Sequence, residues 1–226
     1  YREILLILGV EMTLSSGMHF LALFPEDFTS EKMLSFLAKC DYNKDFGNPE
    51  ECCQKSVKEI VDVIKEMKGI PIPAHVDCPK GLFHMNSQTT GVANGTAIRN
   101  VLDIIDIMAL EIKESDYKIP SSYITQKRWS KVKGSDSHHL KGEKEKGESY
   151  PGSHYTWIKM DCPSFEGIKL ALFDGDTSVK EQELENPNLY SHSFIEKIEI
   201  FKTMYLGANE KYVCNFSPWL NTLIGG

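Results

Sequence analysis

No run in this 226-residue chain approaches the roughly 18 consecutive apolar residues that a bilayer-spanning helix needs. The opening stretch, YREILLILGVEM, is apolar but short, and it lacks the cleavage site of a secretory signal. The expected location is therefore the cytoplasm. Regular cysteine spacing is missing too: Cys40, Cys52, Cys53, Cys78, Cys162 and Cys214 form no C-x-x-C pair, so neither a zinc knuckle nor a disulfide framework is expected. Positive charge is not in excess. A net charge of −7 excludes a surface that coats nucleic acid generally, although it leaves room for one local basic cleft. Internal repeats and low-complexity tracts are also absent.

What remains is an ordinary globular composition, 41% hydrophobic and 25% charged, on a chain long enough for one sizeable core or for one domain and part of another. Ile4 to Leu14 and His19 to Phe24 read as two strands joined by the turn SSG. TSEKMLSFLAKC carries a Thr29/Ser30 cap ahead of apolar residues at helical spacing. SVKEIVDVIKEMKG places Val57, Ile60, Val61 and Ile64 on one helical face, with Gly69 as its stop. GIPIPAHVD is a short strand running into a polar loop. A helix and a further strand, Ile107 to Ile112, follow. Residues 113–153 read as polar and lysine-rich, and then come a strand in TWIKM and a helix in PSFEGIKLALFD. KIEIFKTMYLG begins a more β-like tail. The alternation of helix, strand and polar loop predicts an α/β fold with mostly parallel strands.

In such folds ligands sit at the carboxyl ends of the strands. Glu11, His19, His75, Asp136 and His138 all fall at or near predicted strand ends. Singly, a histidine there is an ordinary hydrogen-bonded residue. Glu11 inside an apolar strand is harder to dismiss, because a buried carboxylate costs several kcal/mol unless it is paired or on a metal. Together, imidazoles and carboxylates form the mixed donor set that Zn²⁺, Mn²⁺ and Fe²⁺ favour. Asp-x-His in GSDSHH lets two side chains reach one or two ions, and ions a few ångströms apart clamp a phosphate and lower the pKa of a bound water.

The ordered set GVE, HFLALF, IPAHVD and GSDSHHL resembles the PHP (polymerase and histidinol phosphatase) family of metal-dependent phosphoesterases. The resemblance covers roughly residues 4–175 and implies a distorted (β/α)7 barrel holding two or three divalent ions. It implies Glu11 as the metal-bridging glutamate, His19 as the histidine of the next strand and His75 as that of the family's AHP motif, here AHV. It also implies Asp136 and His138 as the closing D-x-H, with His139 in a substrate or supporting role. The family opens with an H-x-H pair, whereas no histidine precedes Glu11 here. The strands that carry the pair are expected upstream of Tyr1.

SHYTWIKMDCPSFEGIKLALFD narrows the resemblance to PHP modules fused to an ABC/SMC-like ATPase, the TrlF-like family. In that light WLNTLIGG becomes a strand entering a P-loop, with Gly225 and Gly226 at the phosphate-binding turn. Residues 176–226 are then a connector and the first strands of the ATPase domain, with ATP and Mg²⁺ as cofactors and a homo-oligomer formed through it. The implied activity is hydrolysis of phosphodiesters by a metal-activated water, in a nuclease coupled to the ATPase, with defence against foreign DNA as its setting. The basic flank of Asp136, Lys131 and Lys133 foremost, would hold backbone phosphates; the interleaved Glu143, Glu145 and Glu148 argue instead for a solvated loop. Two rivals stand beside this reading: a small-molecule phosphatase, and a non-catalytic PHP platform for the ATPase.

Overall fold

The structure is a computed structural model that describes residues 4–42, 48, 51–84, 95–124, 129–141, 149–182, 195–201 and 211–216. The chain divides into two units, Tyr1–Leu184 and Glu185–Gly226.

The first unit opens with a hairpin. Strands β1 (Gly9–Thr13) and β2 (His19–Leu23) pair antiparallel, with Glu11 opposite Leu21 and Thr13 opposite His19. The turn between them places Gly17 at φ 81°, a left-handed conformation that glycine adopts without strain. Strand β3 (Ile70–Pro73) joins the other edge of β2, also antiparallel, giving the order β1-β2-β3. The strict alternation of a pleated strand then separates two faces. Met12, Phe20 and Ala22 enter one buried cluster, with Phe24, Phe36, Ile60 and Ile64. Ile70 and Ile72 enter a second, with Phe165, Ala171 and Leu172, and Leu21 and Leu23 pack against it.

Helices α1 (Ser30–Lys39) and α2 (Val57–Glu66) form where caps and apolar spacing coincide. Thr29 accepts from the Lys32 backbone N–H at the start of α1, and Ser56 and Glu59 form a reciprocal capping box on α2. Phe36 and Leu37 of α1, and Ile60, Val61 and Ile64 of α2, supply the buried face. The stop after α2 differs from expectation. The left-handed residue is Lys68 at φ 62°, and Gly69 follows it, donating its N–H to Ile64 O at 2.8 Å.

Helix α3 (Gly95–Leu102) leads to β4 (Ala109–Glu111), and β5 (Ser130–Val132) pairs parallel with β4. Strand β6 (Thr156–Ile158) precedes helix α4 (Phe165–Asp174), which is capped by Ser164, so Pro163 stands just outside the helix. Strand β7 (Val179–Glu181) returns antiparallel to β6. The second unit contributes one antiparallel pair, β8 (Lys197–Phe201) with β9 (Lys211–Asn215).

The protein is thus mixed α/β, but its strand pairings correct the expected mostly parallel arrangement. Among the described residues β4 with β5 is the only parallel strand pair, beside an isolated parallel bridge between Leu14 and Cys53, and the small sheets do not close into a barrel. Strands β5 and β7, three residues each, lie in stretches too short to display a period. No described helix is long and apolar enough to cross a membrane. Gly225 and Gly226 lie outside the described residues.

Candidate metal centre

Glu11 and His19 belong to the two strands of the opening hairpin. Because Glu11 pairs with Leu21, His19 is its diagonal neighbour on the same face, within reach of a side chain. His19 Nδ1 stands 2.5 Å from Glu11 Oε1. Both ring nitrogens of His19 are buried, and Nε2 has no hydrogen-bond partner. His75 lies just past β3, where Ala74 donates its backbone N–H to His19 O at 3.2 Å. The two imidazoles meet edge to face, with centroids 5.1 Å apart. Ligand atoms from Glu11, His19 and His75 all lie within 4.8 Å of one another.

The loop after β3 is tightly folded. His75 sits at φ 26°, and a Cβ on Gly81 would stand 2.1 Å from His75 O, so only glycine lets that turn pass. Beneath it lies Glu111, the last residue of β4 and only 7% exposed. Glu111 Oε2 accepts the His75 backbone N–H at 3.0 Å and lies 3.6 Å from His75 Nδ1. The β4 backbone also holds this loop, since Val76 N donates to Glu111 O at 2.8 Å. Gly134, after β5, approaches Glu111 so closely that a Cβ there would be 2.9 Å from Oε1. The loops after β3, β4 and β5 therefore converge on one place.

Asp136 stands on the third of these loops at φ 43°, again left-handed and non-glycine. Strain of this kind, about 1–3 kcal/mol per residue, gathers at functional sites, and His75 and Asp136 both carry it. Asp136 Oδ2 pairs with Lys113 Nζ at 2.5 Å, and Oδ1 lies 3.2 Å from His138 Nε2. The structure thus brings Glu11, His19 and His75 together, while Asp136 faces Lys113 and the largely exposed His138. His139 turns away, with Nδ1 2.9 Å from Leu140 O and its ring near Tyr150. Lys131 and Lys133 point to the loop after β4, donating to Tyr117 O at 2.7 Å and Ser115 Oγ at 2.8 Å.

The electrostatics follow from this packing. Contact with the His19 imidazole holds the Glu11 carboxyl below the usual range; burial opposes it, and His75 adds to the lowering. Burial works to lower the pKa of His75, but Glu111, Glu11 and Asp136 outweigh it and raise the imidazole. Burial likewise works to raise Asp136, and the ammonium of Lys113, with His138 and His75, overrides it and lowers the carboxyl. Glu11, His75 and Asp136 sense one another and share one field.

Two features depart from the sequence reading. Glu11 is not a buried carboxylate: β1 is an edge strand, and the Glu11 side chain is 34% exposed. The buried acid is Glu111, which the same reasoning about an acid in an apolar strand (ALEI) could have picked out. Lys113 and Asp77 were equally unmarked. The Asp77 carboxylate accepts the backbone N–H groups of Lys113 and Glu114 at 2.8–3.1 Å, tying the His75 loop to the end of β4.

The trio fits a divalent cation. One carboxylate and two imidazoles are a donor set for zinc, manganese or iron, and the buried Nε2 of His19, which has no hydrogen-bond partner, is the nitrogen an ion would satisfy. Comparison with protein-family models, with curated proteins and with solved structures finds no match to this chain.

Proposed function

We propose that this chain is a metal-dependent phosphoesterase module of the PHP kind, acting on the phosphodiester bonds of nucleic acid. The observation that carries the reading is the convergence of Glu11, His19 and His75 within 4.8 Å. It is supported by the order of the motifs GVE, HFLALF, AHV and DSH along the chain. When bound there, a divalent ion supplies Lewis acidity and lowers the pKa of a water. Glu11, His19 and His75 hold that ion, and Glu111 orients the His75 ring. Asp136 and His138 extend the donor set toward solvent.

The mouth of the site favours a polymeric substrate over an enclosed small one. The side chain of His138 is 79% exposed, and that of Glu11 is open as well. The P-loop reading of Gly225 and Gly226, the ATP and Mg²⁺ it would bind, and a homo-oligomer built through a following ATPase domain belong to the same proposal and rest on the resemblance alone.

The test is Mn²⁺-dependent cleavage of DNA and RNA by the wild type, His75→Ala and Asp136→Ala, with thermal melts as a check on folding. Cleavage by the wild type that is lost in both variants supports the reading. Equal inactivity of all three on every nucleic acid sinks the nuclease, and small phosphate esters are then the substrates to try.

A further inference from the structure

We propose that Lys113 is the residue that holds the substrate's phosphate in this site. The inference rests on the phosphoesterase reading and deepens it.

The contacts at the end of β4 give the first argument. Glu111 closes the strand, and Lys113 follows two residues later in the bend beyond it, with the buried Ile112 between them. Glu111 reaches the His75 loop, and Lys113 reaches Asp136. The position of Lys113 is fixed, since its backbone N–H is held by both oxygens of Asp77 at 3.0 and 3.1 Å. The loop that carries His75 thus also sets the origin of the Lys113 side chain.

The second argument is depth. The Lys113 side chain is 29% exposed and that of Asp136 24%, between the buried His75 and the exposed His138. A partly exposed ammonium held on Asp136 is open to a phosphate oxygen arriving from solvent. Lysine is a point-charge phosphate donor with three rotatable N–H groups, so it can keep Asp136 and turn another N–H to a non-bridging oxygen. Lys131 and Lys133 direct their ammonium groups to Tyr117 O and Ser115 Oγ, whereas Lys113 directs its own to Asp136.

The test uses the full chain as wild type, Lys113→Met, Lys113→Arg and, as a control, Lys131→Met. Mn²⁺ affinity is measured by calorimetric titration, and inorganic phosphate is then titrated into the Mn²⁺-saturated protein. Michaelis parameters on a phosphodiester accompany both. Loss of one charge-assisted hydrogen bond should weaken phosphate binding by about ten- to a hundredfold in Lys113→Met. Mn²⁺ affinity should stay near the wild-type value, KM should rise more than kcat falls, Lys113→Arg should recover part of the loss, and Lys131→Met should behave as wild type. Wild-type phosphate affinity in Lys113→Met with Mn²⁺ binding intact overturns the assignment and leaves the phosphoesterase reading standing. Parallel loss of Mn²⁺ and phosphate binding also overturns it, because Lys113 would then act only through Asp136. A wild type that binds neither Mn²⁺ nor phosphate removes the reading and this assignment together.

Discussion

A buried carboxylate that accepts a backbone N–H and faces the imidazole of the same residue fixes both loop and ring, and Glu111 does this for His75. Replacement by glutamine keeps the shape and the acceptor but removes the charge that sets the ring's proton. Glu111→Gln should therefore lower divalent-metal affinity by about 10–100-fold, as losses of such supporting carboxylates do elsewhere, with little change in melting temperature. Mn²⁺ titration beside a thermal melt checks this; unchanged affinity would show that Glu111 serves the loop alone. Glu11, His19 and His75 were readable as candidates because each sits beside an apolar run. Glu111 carries the same signal in ALEI but fits no motif with the histidines, and so passes for the end of a strand. Lys113 escaped because one lysine among many carries no signal until its partner, Asp136, is known.

At the scale of elements, local rules written in side chains fix the helices. In the capping box of α2 the Ser56 backbone and hydroxyl both donate to Glu59 Oε2, at 2.9 and 2.6 Å. These bonds, the Ser56 side chain first, hold the Glu59 carboxyl below its ordinary value of 4.5. A depressed carboxyl contributes stability above its unfolded value and loses it as pH falls through the folded one. Ser56→Ala removes the cap and should destabilise the chain at neutral pH, and by less once the pH falls below 4.5. Urea unfolding at pH 7 and at pH 3 measures both. At the other end of α2, Gly69 was expected to supply the left-handed turn, yet Lys68 does so. Gly69 is needed for space: a Cβ there would stand 2.8 Å from Leu23 O and from Ile64 Cγ2. Lys68→Gly should stabilise by about 1 kcal/mol, whereas Gly69→Ala should destabilise. The reverse order in denaturant midpoints would return the stop to Gly69. Strands were less legible than helices. A three-residue strand such as β5 or β7 has no period to read and exists only through its partner.

Across the whole molecule, both buried clusters draw all their members from residues up to Val179, and the metal-site candidates end at His138. The second unit adds a two-stranded pair in which Ile198, Ile200, Phe201, Tyr212 and Val213 are exposed. An isolated two-stranded ribbon is marginal in water. Both buried clusters and the Glu11, His19 and His75 trio lie within the first unit. A chain ending at Leu184, the boundary of the first unit, should therefore melt cooperatively at the full chain's temperature and bind Mn²⁺ with the same affinity. It should also be more soluble, since the exposed strand pair leaves with the second unit. A drop in melting temperature would mean that the first unit draws stability from residues 185–226. Preserved melting with lost Mn²⁺ binding would mean that the second unit supplies a donor that Glu11, His19 and His75 lack.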